Sequence, residues 1–594
     1  MNRYVAISWP LQSLEAQNQG ARCSSDLLAA GGWDLAVQRP GLEVWTAKGE
    51  RLPVVQMHMA GAVLIGDVYE REPAQPGGTG AETLAPRAAA RKLISSCWGA
   101  YIALLHDSAH GALWVLREPA GYLEAHTWRR GEIDVVSDEL GALPGSLRPA
   151  QIALDWTVIT ELARHPGAAT HLSPLAGVTP ISPGELRRAG DGESAPELVW
   201  SPRDWVRNSE PASAAELRAC VLRTVSCLAS PEASLVTEVS GGLDSAIVTA
   251  ALVEAGYGDR IGAALNYYGS RAAGDERAWA ASLCNACDVP LTVVAQEVGQ
   301  VTLHDLAELA ARMGPAFGAA DVFYDRDVAR RARSVGASAI FGGQGGDAVF
   351  FQMPTTAVVA DAVRRDWRLV LRSGVLQDTA RWLRRSAWSV GAEVIRRRDW
   401  ISPGTAQRGF WGPRAWQAPP AVRHPWLREI GTLPPAKQVQ IQALVASHTH
   451  WTRSRRGETA RVVHPLLAQP VLEFCLGTPA WQLTQGGRDR AFAREALGPM
   501  LPAMVAQRRS KGALNALFSQ RAAASLDVLR PHLLEGALVG AGVLDPAALS
   551  AALDPDRLIW KAEGARLIRL AVLESWVRHW QGRVPDADVL WPRS

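Results

Sequence analysis

Residues 234–255 constrain the chain most. An apolar run, Ser234–Val239, ends in Ser240-Gly241-Gly242-Leu243-Asp244-Ser245, and a helical pattern follows over Ala246–Ala255. A strand, a glycine turn and a helix in succession gather backbone N–H groups and a helix N-terminus around one point, which suits an anion such as phosphate. Gly241 and Gly242 let the backbone approach that anion closely. Ser240 and Ser245 can add hydroxyl donors. Asp244 would repel a phosphate unless a cation lay between them, so it is a natural Mg²⁺ ligand. The loop is not a Walker A motif, because no lysine of this chain follows a glycine. A second loop, Ile340-Phe-Gly-Gly-Gln-Gly-Gly-Asp347, also follows a strand pattern. It offers the N–H groups of Gly345 and Gly346, and Asp347 could share the metal with Asp244. A pair of purely structural glycine turns is the alternative.

The surroundings divide in two. Before residue 205 the pattern is of short strands with turn punctuation: Tyr4–Ser8, Val63–Tyr69, Ala100–His106, Ala112–Arg117 and Ile133–Ser137, with a loop at Pro73–Gly80. A helix is expected over Asp155–His165 and a turn-rich connection over Gly177–Gly184. The polar stretch Asp204–Ser213 marks a domain boundary, giving domains 1–205 and 206–594. Beyond it, helix (Ala214–Leu228), strand (Ser234–Val239), helix, strand (Ile261–Tyr267) and helix (Asp275–Cys287) alternate, and Val289–Gln296 and Ala339–Gly342 continue the series. This alternation predicts an α/β domain, a parallel sheet with helices on its faces. No fixed-period repeat is present. A tryptophan-containing helix, Leu567–Trp580, closes the pattern.

Composition excludes several classes. With 594 residues, 47% hydrophobic and 20% charged, the chain can bury large cores and is not globally disordered. A net charge of +3 gives no pull toward nucleic acid or an acidic membrane. The seven cysteines are sparse and odd in number, which is no secreted disulfide framework. Cys284-Asn-Ala-Cys287 reads as a helical pair rather than a metal site. The N-terminus has no signal-peptide pattern, and no apolar run reaches the roughly 18 residues of a spanning helix. A cytoplasmic enzyme is expected. Only Lys48, Lys92, Lys437, Lys511 and Lys561 among the 62 basic residues are lysine, so a function needing an ammonium has few candidates.

Residues 355–460 form a helical insertion. Ten arginines and five acids lie between Asp361 and Trp400, with Trp367, Trp382, Trp388 and Trp400 among them. Val363, Trp367, Val370 and Leu371 fit helical spacing. The basic face is either solvated or grips an extended or acidic partner. No nucleic-acid module accompanies it.

The Ser-Gly-Gly-Leu-Asp-Ser loop resembles the signature of ATP-pyrophosphatases. Followed by Asp275-Glu276 and Gly343-Gln-Gly-Gly-Asp347, it looks like the synthetase domain of the asparagine synthetase family. Val463-His-Pro-Leu-Leu467 with Glu473, and Gln507-Arg-Arg-Ser-Lys511-Gly512, resemble later segments of that family. Gly66-Asp-Val-Tyr69, Arg117-Glu-Pro-Ala-Gly121, Ser137-Asp-Glu-Leu140 and Gly177–Gly184 resemble its glutaminase domain. The likeness covers about residues 1–350 and 460–515 and leaves out 355–460. It implies an Ntn-hydrolase-like αββα first domain and an adenine nucleotide α-hydrolase (PP-loop) doubly wound second domain that uses ATP and Mg²⁺. In that family the lysine matching Lys511 sits in the acyl-transfer site, where its ammonium stabilises developing charge.

Two departures narrow the reaction. The family's glutaminase needs a cysteine as its second residue, and here Asn2 stands there, so the first domain is expected to be inactive. At Gln344 relatives carry Glu or Tyr, whereas an amide cannot act as a base. A peptide α-amine, with a pKa of about 7.7–8.0, needs less help. Two branches of the family pair a lost glutaminase with an intramolecular amine: β-lactam synthetases and lasso peptide cyclases. The Arg- and Trp-rich insertion and Pro425-Trp-Leu427 look more like the cyclases. That resemblance implies adenylation of an Asp or Glu side chain in a precursor peptide, then attack by the peptide's own N-terminal amine. It also implies a leader-binding protein and a leader peptidase as partners. A β-lactam-type synthetase, an ammonia-dependent asparagine synthetase, a PP-loop enzyme acting on RNA and a peptide-binding scaffold are the rivals.

Overall fold

The strands before residue 205 are apolar on both faces, so both faces must be covered. The computed structural model shows how. It describes residues 3–49, 51–57, 61–71, 84–107, 111–192, 195–207, 210–269, 274–397, 400, 411–412, 423–451, 453–509, 515–560 and 563–582. Asn2, Lys511 and the loop expected at 73–80 lie outside the described residues.

Twelve short strands make two six-stranded sheets. They are β1 (Tyr4–Ser8), β2 (Trp33–Arg39), β3 (Leu42–Ala47), β4 (Val54–Gln56), β5 (Ala62–Glu70), β6 (Cys97–Asp107), β7 (Ala112–Arg117), β8 (His126–Arg130), β9 (Ile133–Ser137), β10 (Thr179–Pro180), β11 (Glu185–Arg188) and β12 (Glu197–Leu198). The orders are β10-β8-β9-β1-β3-β2 and β12-β11-β7-β6-β5-β4. Side chains alternate along each strand. Tyr4 and Ala6 of β1 meet Val63 and Ile65 of β5 and Ile102 and Leu104 of β6 between the sheets. Val5 and Ile7 face the helices α1 (Leu14–Ala30) and α3 (Trp156–Arg164). Leu64, Ala103 and Leu105 face α2 (Pro86–Ser96). The layers run helix, sheet, sheet, helix.

After α4 (Ala214–Ala229) the alternation expected from the sequence is present. β13 (Leu235–Glu238), β14 (Ile261–Tyr268), β15 (Leu291–Ala295), β16 (Ala339–Phe341) and β17 (Arg461–Val463) form one parallel sheet, ordered β15-β14-β13-β16-β17. Helices cover both faces. Leu235, Ala264 and Phe341 pack with Val221 and Val225 of α4 and Ile247 of α5 (Leu243–Glu254). Val236, Leu265 and Ile340 pack with Val328 and Ala332 on the other side. The chain moves from β13 outward in one direction to β14 and later returns to β13's other side at β16. That reversal is a topological switch point, where loops leaving the carboxyl ends diverge and open a crevice.

Cys284 and Cys287 lie in the helix α6 (Arg277–Cys287), both as free thiols. In the Arg-rich region, α7 (Ala357–Arg365), α8 (Trp367–Ser373), α9 (Val375–Leu383) and α10 (Ala387–Arg396) are separate short helices. The run Val363–Leu371 is therefore not one helix. Asp366 is extended and caps α8 by accepting from the Arg368 N–H. Trp367, Leu371, Trp388 and Ile395 are exposed.

The two halves share one core across residue 205, with Leu186, Trp200, Val206 and Leu217 in it. Glu473 of α11 (Gln469–Gly477) is the main latch. It is 3% exposed and accepts from both Arg71 Nη atoms at 2.7 and 2.8 Å, from Trp200 Nε1 at 2.9 Å and from Gln469 Nε2 at 2.8 Å. Trp426, in the Pro425–Leu427 turn, donates to the Pro183 carbonyl at 2.8 Å and packs on Trp200. Both motifs thus hold the halves together. Among the described residues no helix is long and apolar enough to cross a membrane.

Candidate nucleotide site

The loops after β13 and β16 stand side by side at the switch point. α5 begins at Leu243, with Gly242 as its N-cap and no side-chain cap hydrogen bond, which leaves its first turn suited to an anion. Asp244 and Ser245 are in that turn. Gly241 has φ +79°, and an added Cβ would come within 2.8 Å of Glu276 Cβ, so both its conformation and the packing of α6 require glycine. Ser245 Oγ accepts from the Ser240 N–H and lies 3.1 Å from Ser240 Oγ, while Ser240 Oγ accepts from the Gly242 N–H. The two serines thus also brace the loop, Ser245 from its buried side and Ser240 from its exposed side.

The second loop packs onto the first. A Cβ on Gly346 would lie 2.6 Å from Asp244 Cγ, and one on Gly343 would lie 2.3 Å from the Ser245 nitrogen. Glycine there is what lets two helix N-termini share one wall. Gly345 caps the short helix Gly346–Val349, again with no side-chain cap. Asp347 is in its first turn, accepting from the Ala348 N–H at 3.0 Å. Gln344 is half-buried in the same loop. Ser240, Gly241, Gly242, Asp244, Ser245, Gly345, Gly346 and Asp347 are thereby brought together. Lys511 lies outside the described residues.

Three residues overlooked in the sequence complete the site. Arg490 Nη1 donates to Asp244 Oδ2 at 2.7 Å, and Nη2 lies 2.7 Å from Asp489. Burial works against the charge on Arg490, but Asp244 and Asp489 outweigh it and raise the guanidinium pKa. Arg490 has φ +50° and its N–H reaches the carbonyl of Phe351, itself at φ +67°. Two left-handed residues bonded to each other beside a glycine loop are a strained support of the kind concentrated at functional sites. Arg508 donates to the Gly241 carbonyl at 2.8 Å, pairs with Glu276 and lies 4.1 Å over the Trp279 ring. Glu238, at the end of β13, accepts from Tyr324 at 2.6 Å and from Arg456 at 2.7 Å. Gly486-Gly487-Arg488-Asp489-Arg490 was the available signal for Arg490, and the arginine excess of the whole chain hid it.

Among the described residues no group of three or more His, Cys, Asp or Glu side chains is arranged to hold a metal by itself. A divalent ion at Asp244 and Asp347 would therefore need further oxygens, as Mg²⁺ bound through one or two carboxylates plus phosphates does. Arg490 already holds Asp244 Oδ2, so an ion there would have to share that carboxylate with the guanidinium.

The profile described as Asparagine synthase matches residues 216–578. It takes in residues 355–460, which the sequence resemblance had left out, and runs past 515. No curated protein matches the chain.

Proposed function

The chain belongs to the asparagine synthase family and is an ATP-dependent amide-forming ligase, and on that premise we propose that it is a lasso-type peptide cyclase. It adenylates an Asp or Glu side chain of a precursor peptide and joins that carboxyl to the peptide's N-terminal amine, with release of AMP and pyrophosphate. The carrying observation is that the glycine loops after β13 and β16 pack against each other, with Asp244 and Asp347 in the helical turns that follow. Such a site suits ATP-driven activation of a carboxylate, and the amide of Gln344 favours an amine that needs no strong base. Mg²⁺ held by Asp244 and Asp347 would neutralise phosphate charge. The loop N–H groups would orient the phosphates, Lys511 would steady the charge of the leaving group, and Arg490 holds the Asp244 carboxylate in place.

The four-layer arrangement of residues 1–205 supports its reading as a degenerate Ntn-type glutaminase domain kept as scaffold. Exposed Trp367, Leu371, Trp388 and Ile395 among arginines support α7–α10 as the hold on the pre-threaded peptide. Such a hold offsets the conformational entropy lost in threading. A leader-binding protein and a leader peptidase would supply the trimmed peptide.

The test is mass spectrometry after incubation with ATP, Mg²⁺ and the leader-free linear peptide encoded beside this chain's gene. A peptide that has lost one water, with AMP formed in equal amount, is expected. Amidated free aspartate in ammonium, with the peptide left linear, overturns the cyclase reading and favours an ammonia-dependent synthetase; a small β-amino acid closed to its lactam favours a β-lactam-type enzyme.

A further inference from the structure

Three imidazoles meet at the seam between the halves. His171 ends the turn Pro166–Thr170 of the first half. In the second half, His424 caps the turn Pro425–Leu427 and His448 begins the turn His448–Trp451. The His424 ring centroid lies 5.2 Å from that of His171 and 5.7 Å from that of His448. Trp426 packs edge-on to His424 and His448, at 5.5 and 4.7 Å. His424 and His448 are buried, at 1% and 6% exposure. Trp426 is the residue that reaches Pro183 and Trp200 across the seam. The rings therefore support one of the contacts that join the halves.

The surroundings admit only neutral rings. The Trp426 N–H donates to His424 Nδ1 at 3.1 Å, so Nδ1 carries a lone pair and the ring's one proton sits on Nε2. A second proton would go to Nδ1 and set a donor against the Trp426 N–H. No charged acid stands ready to balance it. His424 is faced by His171, His448, Arg117 and Arg428, and His448 by Arg117, His171 and His450. The small cavity that His448 lines has one acid, Glu124, against Arg117, Arg312 and Arg453. Glu124 is itself held above the usual carboxylate range by burial. His424 Nε2 and His448 Nδ1 are buried without a hydrogen-bond partner among the described residues, so neither has an acceptor with which to share a proton. Burial first, then the neighbouring imidazoles and arginines, lowers both rings well below the ordinary value of about 6.5, His448 to about 3. A ring opened to water returns to the ordinary value. The closed form thus binds fewer protons, so closure is fully favoured above about pH 6.5 and weakens as pH falls below it.

We propose that His171, His424 and His448 form an acid-operated clasp between the halves. Proton uptake by His424 and His448 breaks the bond to the Trp426 N–H and drives the rings apart. Trp426 then leaves the Pro183 carbonyl and Trp200, and the seam opens locally while the glycine loops and the parallel sheet stay folded.

The experiment compares wild type with His424→Asn and His448→Gln, singly and together. Asparagine keeps an acceptor for the Trp426 N–H, as at an N-cap, and neither amide side chain titrates. Hydrogen exchange of the Trp426 amide, corrected for the intrinsic effect of pH, gives the opening equilibrium. Between about pH 7.5 and 5.0 that equilibrium is expected to rise about 1000-fold in wild type, about 30-fold in each single variant and less than about threefold in the double variant. The amides of β13 keep their protection throughout. A wild-type rise of less than about threefold overturns the proposal. So does a double variant that follows the wild-type curve. Loss of protection at Trp426 and β13 together also overturns it, since acid would then unfold the chain rather than release a clasp. The wild-type curves decide the matter alone if the double variant does not fold.

Discussion

Glu118 and Asp138, in the two-sheet half, are buried carboxyls pushed up to about 8 by burial. Asp489, beside the glycine loops of the other half, is half-buried, and Arg490 and Arg494 hold it below the usual carboxylate range despite its desolvation. The first half therefore keeps these buried acids neutral and satisfies them locally; Glu118, for instance, accepts from the N–H groups of Ala120 and Tyr122. Around the glycine loops, Asp489 is instead held charged against guanidinium groups. A neutral acid in a closed hydrogen-bonded turn is structural. The contrast supports the proposed division, scaffold in one half and chemistry in the other.

The strongest way to break this contrast is at Asp244. Asp244→Ala is expected to lower AMP formation about 1000-fold in protein that still folds, and Lys511→Ala to do the same; wild-type turnover in either would mean the chemistry lies elsewhere. Next is the latch between the halves. Glu473→Ala strands Arg71 and should cost about 3 kcal/mol of stability, read as a lower denaturation midpoint, while turnover per folded molecule is kept; lost turnover without lost stability would make the seam part of the chemistry. Arg490→Ala should reduce kcat/KM about 100-fold, and Arg490→Lys should recover only part, because an ammonium cannot bridge two carboxylates as the planar fork does. Equal rates for Arg490→Ala and wild type would reduce that pair to a structural one. The smallest effect is expected at position 2: Asn2→Ala should leave cyclisation unchanged, and a loss in soluble, folded protein would give the first half a role beyond scaffolding.

Much of this was legible beforehand because it depends on local pattern. β1, β7 and β9 fall on the expected residues, since alternating or apolar runs between turns admit few other readings. The two glycine loops were legible because strand, glycine and helix are contiguous. Arg490 and Arg508 were not, since they reach Asp244 and Gly241 from about 250 residues away, and one arginine among so many carries no label. Glu473 and Trp426 were noticed as motif members, yet their place in the seam depends on Arg71, Trp200 and Pro183, all far off in sequence. The helix break at Asp366 was missed because apolar spacing continues across it, while a side-chain cap competes with the helical bond.

By itself, the sequence determined that β13 and β16 end in glycine loops bearing Asp244 and Asp347 and that Gln344 cannot be a base. These are properties of residue type and of neighbours along the chain. Only the tertiary structure decided that the loops share one wall, that Arg490 holds Asp244, and that Arg508 reaches the Gly241 carbonyl. Those facts follow from the strand order β15-β14-β13-β16-β17 and from side chains packed against it. Strand order depends on which distant apolar faces bury one another, and no local run of residues encodes it.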